Sequence, residues 1–381
     1  MIRNMFLRLL SLEWFGLVIA AIVAALGYGA WLTPGVSSRF GIALLMIAGA
    51  LACGALFHLT MLAHVRRKYP PKGRMVVVNG MRMHVLAEGD ARSKPPVVWL
   101  GGGHAAGATV QHMHQRVRNA VRSILVDRPG TGWSDTGPFP RTTAREADEV
   151  VEALAAAGEV GPFVFAGYSF GGLLSANIGR RRPDLVAKLV LLDPTPLETI
   201  VFGPRLGALQ DMRRDAFNSA LLRLFGVHID LNAMRAARNP QYEQVSVTFR
   251  DRLGEALTTL KAVEISAGSQ LAHFSIYREL SPEGVAACGW ETVVYDGDLG
   301  DMPVYLVAPG DGEDVKSNPD VAGASEAESL RMQRFFASTR ERYLATSTRS
   351  QRIYAPAGST HQFVYEHPDF VAKTVLDIVV A

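Results

Sequence analysis

The stretch from Pro162 to Ile178 limits the possible folds of this chain more than any other. Pro162-Phe163-Val164-Phe165-Ala166 is a short apolar run of the kind that makes a buried strand, and Gly172-Leu173-Leu174-Ser175-Ala176-Asn177-Ile178 reads as a helix. Between them lies Gly167-Tyr168-Ser169-Phe170-Gly171, a glycine-bounded turn with a serine at its apex. A strand that enters a helix through so tight a turn strains the serine backbone and lifts its hydroxyl clear of the sheet. Small residues flank it because a Cβ there would strike the neighbouring strand or helix. A bare G-x-S-x-G recurs by chance. With strand before and helix after, the motif marks Ser169 as a nucleophile rather than part of a plain glycine-rich turn.

The 381 residues exceed the usual size of one domain, which suggests a large domain with an appendage. The appendage is amino-terminal. Trp14 to Leu32 and Phe40 to Ala63 contain no Asp, Glu, Lys or Arg, and each is long enough to cross a hydrocarbon core of ~30 Å. Trp14, Tyr28 and Trp31 lie near the ends of the first span, where aromatic belts form. Gly16, Gly27, Gly41 and Gly54 are among the small residues that would let two helices approach closely. A second span directly after the first argues against a cleaved leader, and the length of both argues against a buried hairpin.

Charge supports this division. The formal net charge is +3, yet residues 1–74 hold eight Lys/Arg and one acid, Glu13, for +7. The remaining 31 basic and 35 acidic residues sum to −4, so the surplus flanks the spans and gives the main domain no nucleic-acid surface. Arg3 and Arg8 precede the first span, Arg66, Arg67, Lys68, Lys72 and Arg74 follow the second, and the turn between has only Arg39. The positive-inside rule then places both ends in the cytosol, giving a multi-pass protein of the inner (cell) membrane with a cytoplasmic main domain. The lipid bilayer is thus an expected partner, and the basic cluster after the second span either touches anionic headgroups or serves only as a topology signal.

Residues 1–69 are accordingly expected to form a transmembrane hairpin (spans about 14–32 and 40–63), residues 70–74 a linker, and residues 75–381 the main domain. Met75 to Val85 contains Asn79-Gly80 between β-prone runs, a hairpin signal. Val97–Leu100, Ile124–Val126, Phe163–Phe165, Leu189–Leu192, Val304–Val307 and Arg352–Tyr354 are short apolar runs suited to strands covered on both faces. Ala144 to Ala157 and Asp369 to Val380 read as amphipathic helices. The expected fold class is α/β: a mostly parallel sheet opened by an antiparallel hairpin, preceded by two transmembrane helices. From about 194 to 302 the strand rhythm gives way to helical patterns, as in a helical cap inserted beside the site. Cys53 and Cys288 are too few and too distant for a disulfide framework and read as small packing residues.

From Met75 onward the chain resembles the α/β-hydrolase family. The resemblance rests on the turn at Ser169, on Leu100-Gly101-Gly102-Gly103-His104 after a strand, and on Asp127-Arg128-Pro129-Gly130-Thr131-Gly132-Trp133-Ser134. It rests also on Ala357-Gly358-Ser359-Thr360-His361-Gln362-Phe363 ahead of the last helix. The resemblance implies a catalytic triad of Ser169, His361 and an acid. For the acid, the loop after Val304–Val307 offers Asp311 and Asp314, with Glu313 at the family's usual spacing, while Asp193 follows the strand after the elbow and is preferred. The oxyanion hole is expected from the N–H groups of Phe170 and of Gly102, with Gly103 as the alternative. Asp127 and Arg128 are expected to brace the loop beneath the elbow.

The implied activity is that of a serine esterase or lipase-like hydrolase on a small acyl substrate, hydrophobic if the cap and membrane anchor bear on it. No cofactor is expected, since both the P-loop and the dinucleotide fingerprint are missing, and His112-Met113-His114 has nothing nearby to complete a metal site. The same residues would serve a cofactor-free haloperoxidase or a C–C hydrolase, and a non-catalytic ligand sensor or scaffold is the alternative from a different class. An aspartate at the elbow would have indicated a dehalogenase or epoxide hydrolase.

Overall fold

A computed structural model describes residues 2–90, 94–195, 207–236, 248–310 and 325–381. Its centre is an eight-stranded sheet of β1 (Arg74–Val78), β2 (Met81–Glu88), β3 (Val97–Leu100), β4 (Ser123–Val126), β5 (Phe163–Tyr168), β6 (Val186–Leu192), β7 (Val304–Ala308) and β8 (Ser350–Tyr354). The spatial order is β1-β2-β4-β3-β5-β6-β7-β8. β2 runs antiparallel to both β1 and β4, and all remaining pairs are parallel. Asn79 and Gly80 turn the opening hairpin with φ of 50° and 81°, the pair of positive angles that a two-residue turn needs to match strand twist.

Period-2 alternation divides the apolar runs between two cores. Val98 and Leu100 of β3, with Phe163 and Phe165 of β5, face helices α5 (Thr143–Ala156) and α6 (Phe170–Arg181) through Val150, Leu154, Leu174 and Ile178. Val97, Trp99, Val164 and Ala166 face the opposite way, onto Met113 and Val117 of α4 (Gln111–Val117) and Val371 and Val375 of α14 (Pro368–Val380). Both faces being covered explains why these strands read as continuous apolar runs.

Between β6 and β7 lie α7 (Gly207–Leu224), α8 (Leu231–Ala236), α9 (Glu255–Val263), α10 (Ala267–Glu279) and α11 (Pro282–Ala287). These helices are tied to the core by polar contacts. The Glu279 carboxylate accepts from the Thr143 amide (2.6 Å), the Thr143 hydroxyl (2.8 Å) and Thr292 (2.6 Å). Glu264 accepts from the Gly132 amide at 2.9 Å. One long helix, α12 (Glu326–Ala345), stands between β7 and β8 and was not anticipated by the sequence pattern.

The amino-terminal segment forms α1 (Ile2–Leu10), α2 (Phe15–Leu32) and α3 (Ser38–Lys68), so the second apolar helix runs beyond 40–63 at both ends. By length and composition α2 and α3 are sufficient to cross a membrane. They meet through small residues: Gly16, Ala20 and Gly27 are buried on α2, and Gly41, Ala48 and Ala55 on α3. The seven-residue spacing of the α3 set keeps one seam facing its partner. A Cβ on Gly41 would come within 2.7 Å of the Trp31 Cβ. Ile22, Leu26, Trp31, Phe40, Met46 and Ile47 are exposed on the outer faces. Cys53 is also exposed rather than packed.

This segment docks on the inserted helices. Leu7 and Leu10 of α1 share one apolar cluster with Ala220 and Leu224 of α7 and Ala267 and Leu271 of α10. A Cβ on Gly54 would lie 2.2 Å from the Phe225 carbonyl oxygen, so only glycine permits that approach. Glu13 accepts from the Ala267 and Gly268 amides (3.0 and 3.1 Å), which caps α10, and its Oε2 lies 2.7 Å from Nε2 of the fully buried His58. A carboxylate only accepts, so His58 donates from Nε2, and its Nδ1 lies 2.8 Å from His228 Nε2.

Burial, with the nearby Asp127 charge, pushes the Glu264 carboxyl from 4.5 up to about 7, against the opposing hydrogen bond from Gly132. The native state therefore holds this proton more tightly than the unfolded chain. The stability it contributes is complete below about 4.5 and is lost as pH rises through about 7. In Glu264→Gln, which keeps the acceptor and never ionises, the melting temperature should fall less than in the parent between pH 5 and pH 8. Parallel melting curves for the two proteins across that range would contradict this linkage.

Candidate active site

Ser169 has φ 53° and ψ −119°. Its backbone is held on every side: the amide donates to Leu192 O at 3.0 Å, and the carbonyl accepts from Gly172 (2.8 Å) and Thr195 (2.9 Å). Two neighbouring glycines are required by contact. A Cβ on Gly171 would fall 2.1 Å from Leu100 O, and one on Gly167 would fall 2.2 Å from Gly171 O. The tight turn between β5 and α6 thus exists because helix and strands touch backbone to backbone.

His361 lies in the loop between β8 and α13 (Phe363–Glu366). Glu366 shapes this loop by accepting from the Thr360 amide (3.0 Å) and hydroxyl (2.5 Å), and Tyr168 donates its hydroxyl to His361 O at 3.0 Å. The imidazole Nε2 then sits 3.2 Å from Ser169 Oγ, and Nδ1 sits 2.7 Å from Asp193 Oδ2. Because the carboxylate only accepts, Nδ1 carries the hydrogen and Nε2 presents its lone pair to the serine hydroxyl. Thr195 Oγ1 is a second neighbour of the serine oxygen, at 3.4 Å.

Asp193 follows β6, where its amide donates to Val307 O of β7 at 2.8 Å and its φ is 44°. Its carboxylate also receives Arg340 of α12, Nε to Oδ1 at 2.9 Å and Nη2 to Oδ2 at 3.2 Å. Burial alone would raise the Asp193 pKa. The Arg340 charge and the His361 hydrogen bond outweigh it and hold the carboxyl below its ordinary value. The structure thus brings Ser169, His361 and Asp193 together. Asp311, Glu313 and Asp314 lie outside the described residues.

The glycine run packs against the nucleophile: a Cβ on Gly102 would be 3.2 Å from the Ser169 Cβ, and Gly103 has φ 55°. Phe170 opens α6, so its N–H stands outside the helical ladder. Both segments bear on Arg128. Its Nη2 donates to the carbonyls of Gly101 (3.4 Å), Gly103 (2.5 Å) and Ala105 (3.1 Å), and its guanidinium lies 5.1 Å from the Phe170 ring centroid.

Beneath Arg128 is a buried charge cluster that sequence pattern did not reveal. Glu146 lies 2.9 Å from His104 Nε2 and 3.6 Å from both Arg128 and Arg141, and Arg141 also pairs with Glu149. Burial would raise the Glu146 pKa, but His104, Arg128 and Arg141 together bring it down to about 2. Asp127 braces the same region by accepting from the Gly107 and Trp133 amides (2.8 and 3.1 Å) and from His84 Nδ1 (2.9 Å). His112 contacts Val364 O and His114 contacts Glu88, and the described residues contain no group of three or more metal-ligating side chains.

With this geometry established, comparison with known proteins gives the family. The sequence profile of the alpha/beta hydrolase family matches residues 75–374, and the chain belongs to that family. An uncharacterized protein of Schizosaccharomyces pombe is 35% identical over 80 residues, 21% of this chain and 15% of its own length. RutD of Rhizobium rhizogenes, whose name describes it as a candidate carbamate hydrolase, is 27% identical over 191 residues, 48% of this chain and 71% of its own. Among solved structures, the enol-lactonase of Burkholderia xenovorans LB400 superposes with a TM-score of 0.51 at 17% identity, covering 81% of this chain and all of that one. A point mutant of the haloalkane dehalogenase DatA of Agrobacterium tumefaciens C58 gives 0.52 at 16% identity, over 81% of this chain and 97% of that one. At such identities the structural likeness speaks to fold alone.

Removing one partner of a buried charge costs about 3–5 kcal/mol. Arg128→Met should therefore lower the unfolding free energy of the full chain by an amount of that order. Arg128→Lys, a single point charge without the fork, should recover only part of the loss. Unaltered denaturant melts of Arg128→Met would show that the cluster does not depend on this guanidinium.

Proposed function

We propose that this protein is a serine hydrolase that cleaves an ester or related acyl substrate through an acyl-enzyme on Ser169. The observation that carries the reading is the unbroken path from Ser169 Oγ through both nitrogens of His361 to Asp193. In the first half-reaction His361 Nε2 takes the Ser169 proton as Oγ bonds to the substrate carbonyl carbon. The oxyanion is met by the N–H groups of Phe170 and Gly102. His361 then returns the proton to the leaving group as its bond to carbon breaks. Water repeats the sequence and releases the acid, restoring Ser169. Asp193 holds the imidazole in the required tautomer throughout. A carbamate, as in the name of the R. rhizogenes relative, falls within this carbonyl chemistry.

The same reading places residues 1–69 as a membrane anchor, residues 70–74 as a linker and residues 75–381 as the hydrolase domain, with its cap at about 194–302. Two apolar helices with large apolar side chains on their outer faces and basic residues at their outer ends support it. The charge pattern favours a cytoplasmic domain beneath an inner membrane. An apolar cluster of Phe170, Leu173, Ile276, Leu280 and Val285 joins the elbow helix to the proposed cap.

A fluorophosphonate probe should label the full-length protein in membranes, with labelling absent in Ser169→Ala and slowed by about 10²-fold or more in His361→Ala. A folded parent protein that takes no label would displace this reading in favour of a ligand-binding role.

Arg340 tunes the base. Its positive charge on Asp193 offsets part of the field that favours the imidazolium, so removing it should raise the His361 pKa. Since the reaction needs neutral His361, Arg340→Met should move the acidic limb of the kcat/KM profile to higher pH. An unmoved limb would reduce Arg340 to a structural partner.

A further inference from the structure

The inserted helices meet the amino-terminal hairpin at a depth fixed by the length of α2. This helix has 18 residues, about 27 Å, so under the proposed anchoring all of it is needed to cross a hydrocarbon core of ~30 Å. Gly16, its second residue, then lies at the cytoplasmic boundary of that core. The backbone of the main domain reaches the same point. A Cβ on Gly16 would lie 2.4 Å from the Leu224 carbonyl oxygen and 3.1 Å from the Ala55 Cβ, which sets α2, α3 and the end of α7 at one level. A Cβ on Gly226 would fall 2.7 Å from Gly54 O, and the His228 ring stacks on that of Phe57 with centroids 5.8 Å apart. The connection from α7 to α8 thus runs along α3 from Gly54 to His58.

The side chains around this connection are ill suited to water. Leu222, Val227, Ile229 and Met234 have relative exposures of 37–44%. They lie close along the chain, and bonds from Val227 N to Leu222 O and from Ile229 N to Val227 O, both 3.0 Å, hold three of them in one turn. Beside them α1 presents Met5, Phe6 and Leu9 outward, while Leu7 and Leu10 face α7 and α10. A water-facing helix would instead be polar on the side turned away from protein. Leu56 and Phe57 of α3 are exposed as well and join this surface to the outer faces of the hairpin. Elsewhere in the described main domain the large exposed apolar side chains are isolated, as at Val160, Tyr295 and Tyr354, or paired, as Met75 and Val77 on β1. Isolated ones are ordinary on any surface, whereas a contiguous band marks a contact.

We propose that this band is a second membrane contact: the turn between α7 and α8 and the outer face of α1 are seated among the headgroup-proximal acyl segments of the bilayer. Lipid is the occupant because the band is continuous with the outer face of α3 and lies at the boundary depth that α2 sets. A partner protein there would have to displace the lipid around the hairpin. Arg8 on α1 and Asp230 ahead of α8 are both exposed, and Asp230 accepts from the Ala233 amide at 3.0 Å. These charges stop the surface at the headgroups once its apolar residues are immersed. His58, about one turn beyond Ala55, is fully buried with its Nε2 on Glu13, so the polar groups at this depth face protein and not lipid. The inference rests on the proposed anchoring and adds to it that part of the domain carrying Ser169 is itself immersed. The domain is then held against the bilayer by its own inserted helices rather than hung from residues 70–74.

The test places single cysteines in the full-length chain carrying Cys53→Ala and Cys288→Ala: Val227→Cys and Ile229→Cys on the turn, and Phe6→Cys on α1. Each is labelled with the fluorophore NBD and reconstituted into phosphatidylcholine liposomes. Ile22→Cys on the outer face of α2 and Val160→Cys, an isolated exposed position, serve as controls. A lipid nitroxide at the head of the acyl chain should quench most of the emission at the three test positions, and aqueous iodide should quench them far less than the Val160→Cys label. Iodide quenching equal to that of Val160→Cys would place the band in water and overturn the inference. Protection from both iodide and the lipid nitroxide would assign the band to a second copy of the chain and overturn it as well. In either case, quenching of the Ile22→Cys label by a nitroxide near the chain end leaves the anchoring intact. An Ile22→Cys label open to iodide removes the anchoring and the inference together.

Discussion

At φ 53° and ψ −119°, Ser169 occupies backbone space that costs an L-residue about 1–3 kcal/mol, and the centre of the molecule is arranged to hold it there. The restraint is mutual contact of main chains. Gly171 lets α6 rest on the carbonyl of Leu100, Gly167 lets β5 meet Gly171, and Leu192 and Thr195 fix the serine amide and carbonyl. A side chain at either glycine would part helix from sheet and release the turn. The same proximity sets Gly102 beside the serine, so nucleophile and glycine loop are positioned by one packing event rather than by two.

Charge is used differently on the two sides of this turn. On the side of the glycine loop, Arg128, Glu146, Arg141, Glu149 and His104 form a closed set whose members neutralise one another, and its outward effect is geometric. Arg128 faces three carbonyls of the loop and the ring of Phe170, the two segments that supply the proposed oxyanion donors. On the side of His361 the charge is left partly open. Asp193 divides its carboxylate between Arg340 and the imidazole, so the proposed relay works with a carboxylate whose field is already shared.

How much of this could be read from the chain alone follows from the range of each interaction. The central strands and the elbow were legible because buried parallel strands are apolar end to end and the glycine spacing around Ser169 is local. Asp193 could be preferred to Asp311 or Asp314 only on its position after a strand, because its place depends on β6 pairing with β7, and that register is not encoded nearby. Arg340 was out of reach: it meets Asp193 from 147 residues away, on a helix whose opening Glu326-Ala327-Glu328-Ser329 is polar and gives little apolar period. Glu146 reads as one more acid on the first turn of α5, and only the fold shows that it is fully buried. The docking of α1 on the inserted helices was equally hidden, since Leu7 and Leu10 look like the approach to a span.

That docking means the amino-terminal helices are not a severable handle. Leu7 and Leu10 complete the apolar cluster of α7 and α10, Glu13 caps α10, and Gly54 lies against the carbonyl of Phe225. A shortened chain beginning at Met75 would keep every strand from β2 onward and the Ser169 turn. It would also bare an apolar face on its inserted helices and leave the first turn of α10 without its carboxylate. Biochemists seeking an easily handled fragment would be removing part of the roof along with the foundation, and the intact chain is the unit to purify.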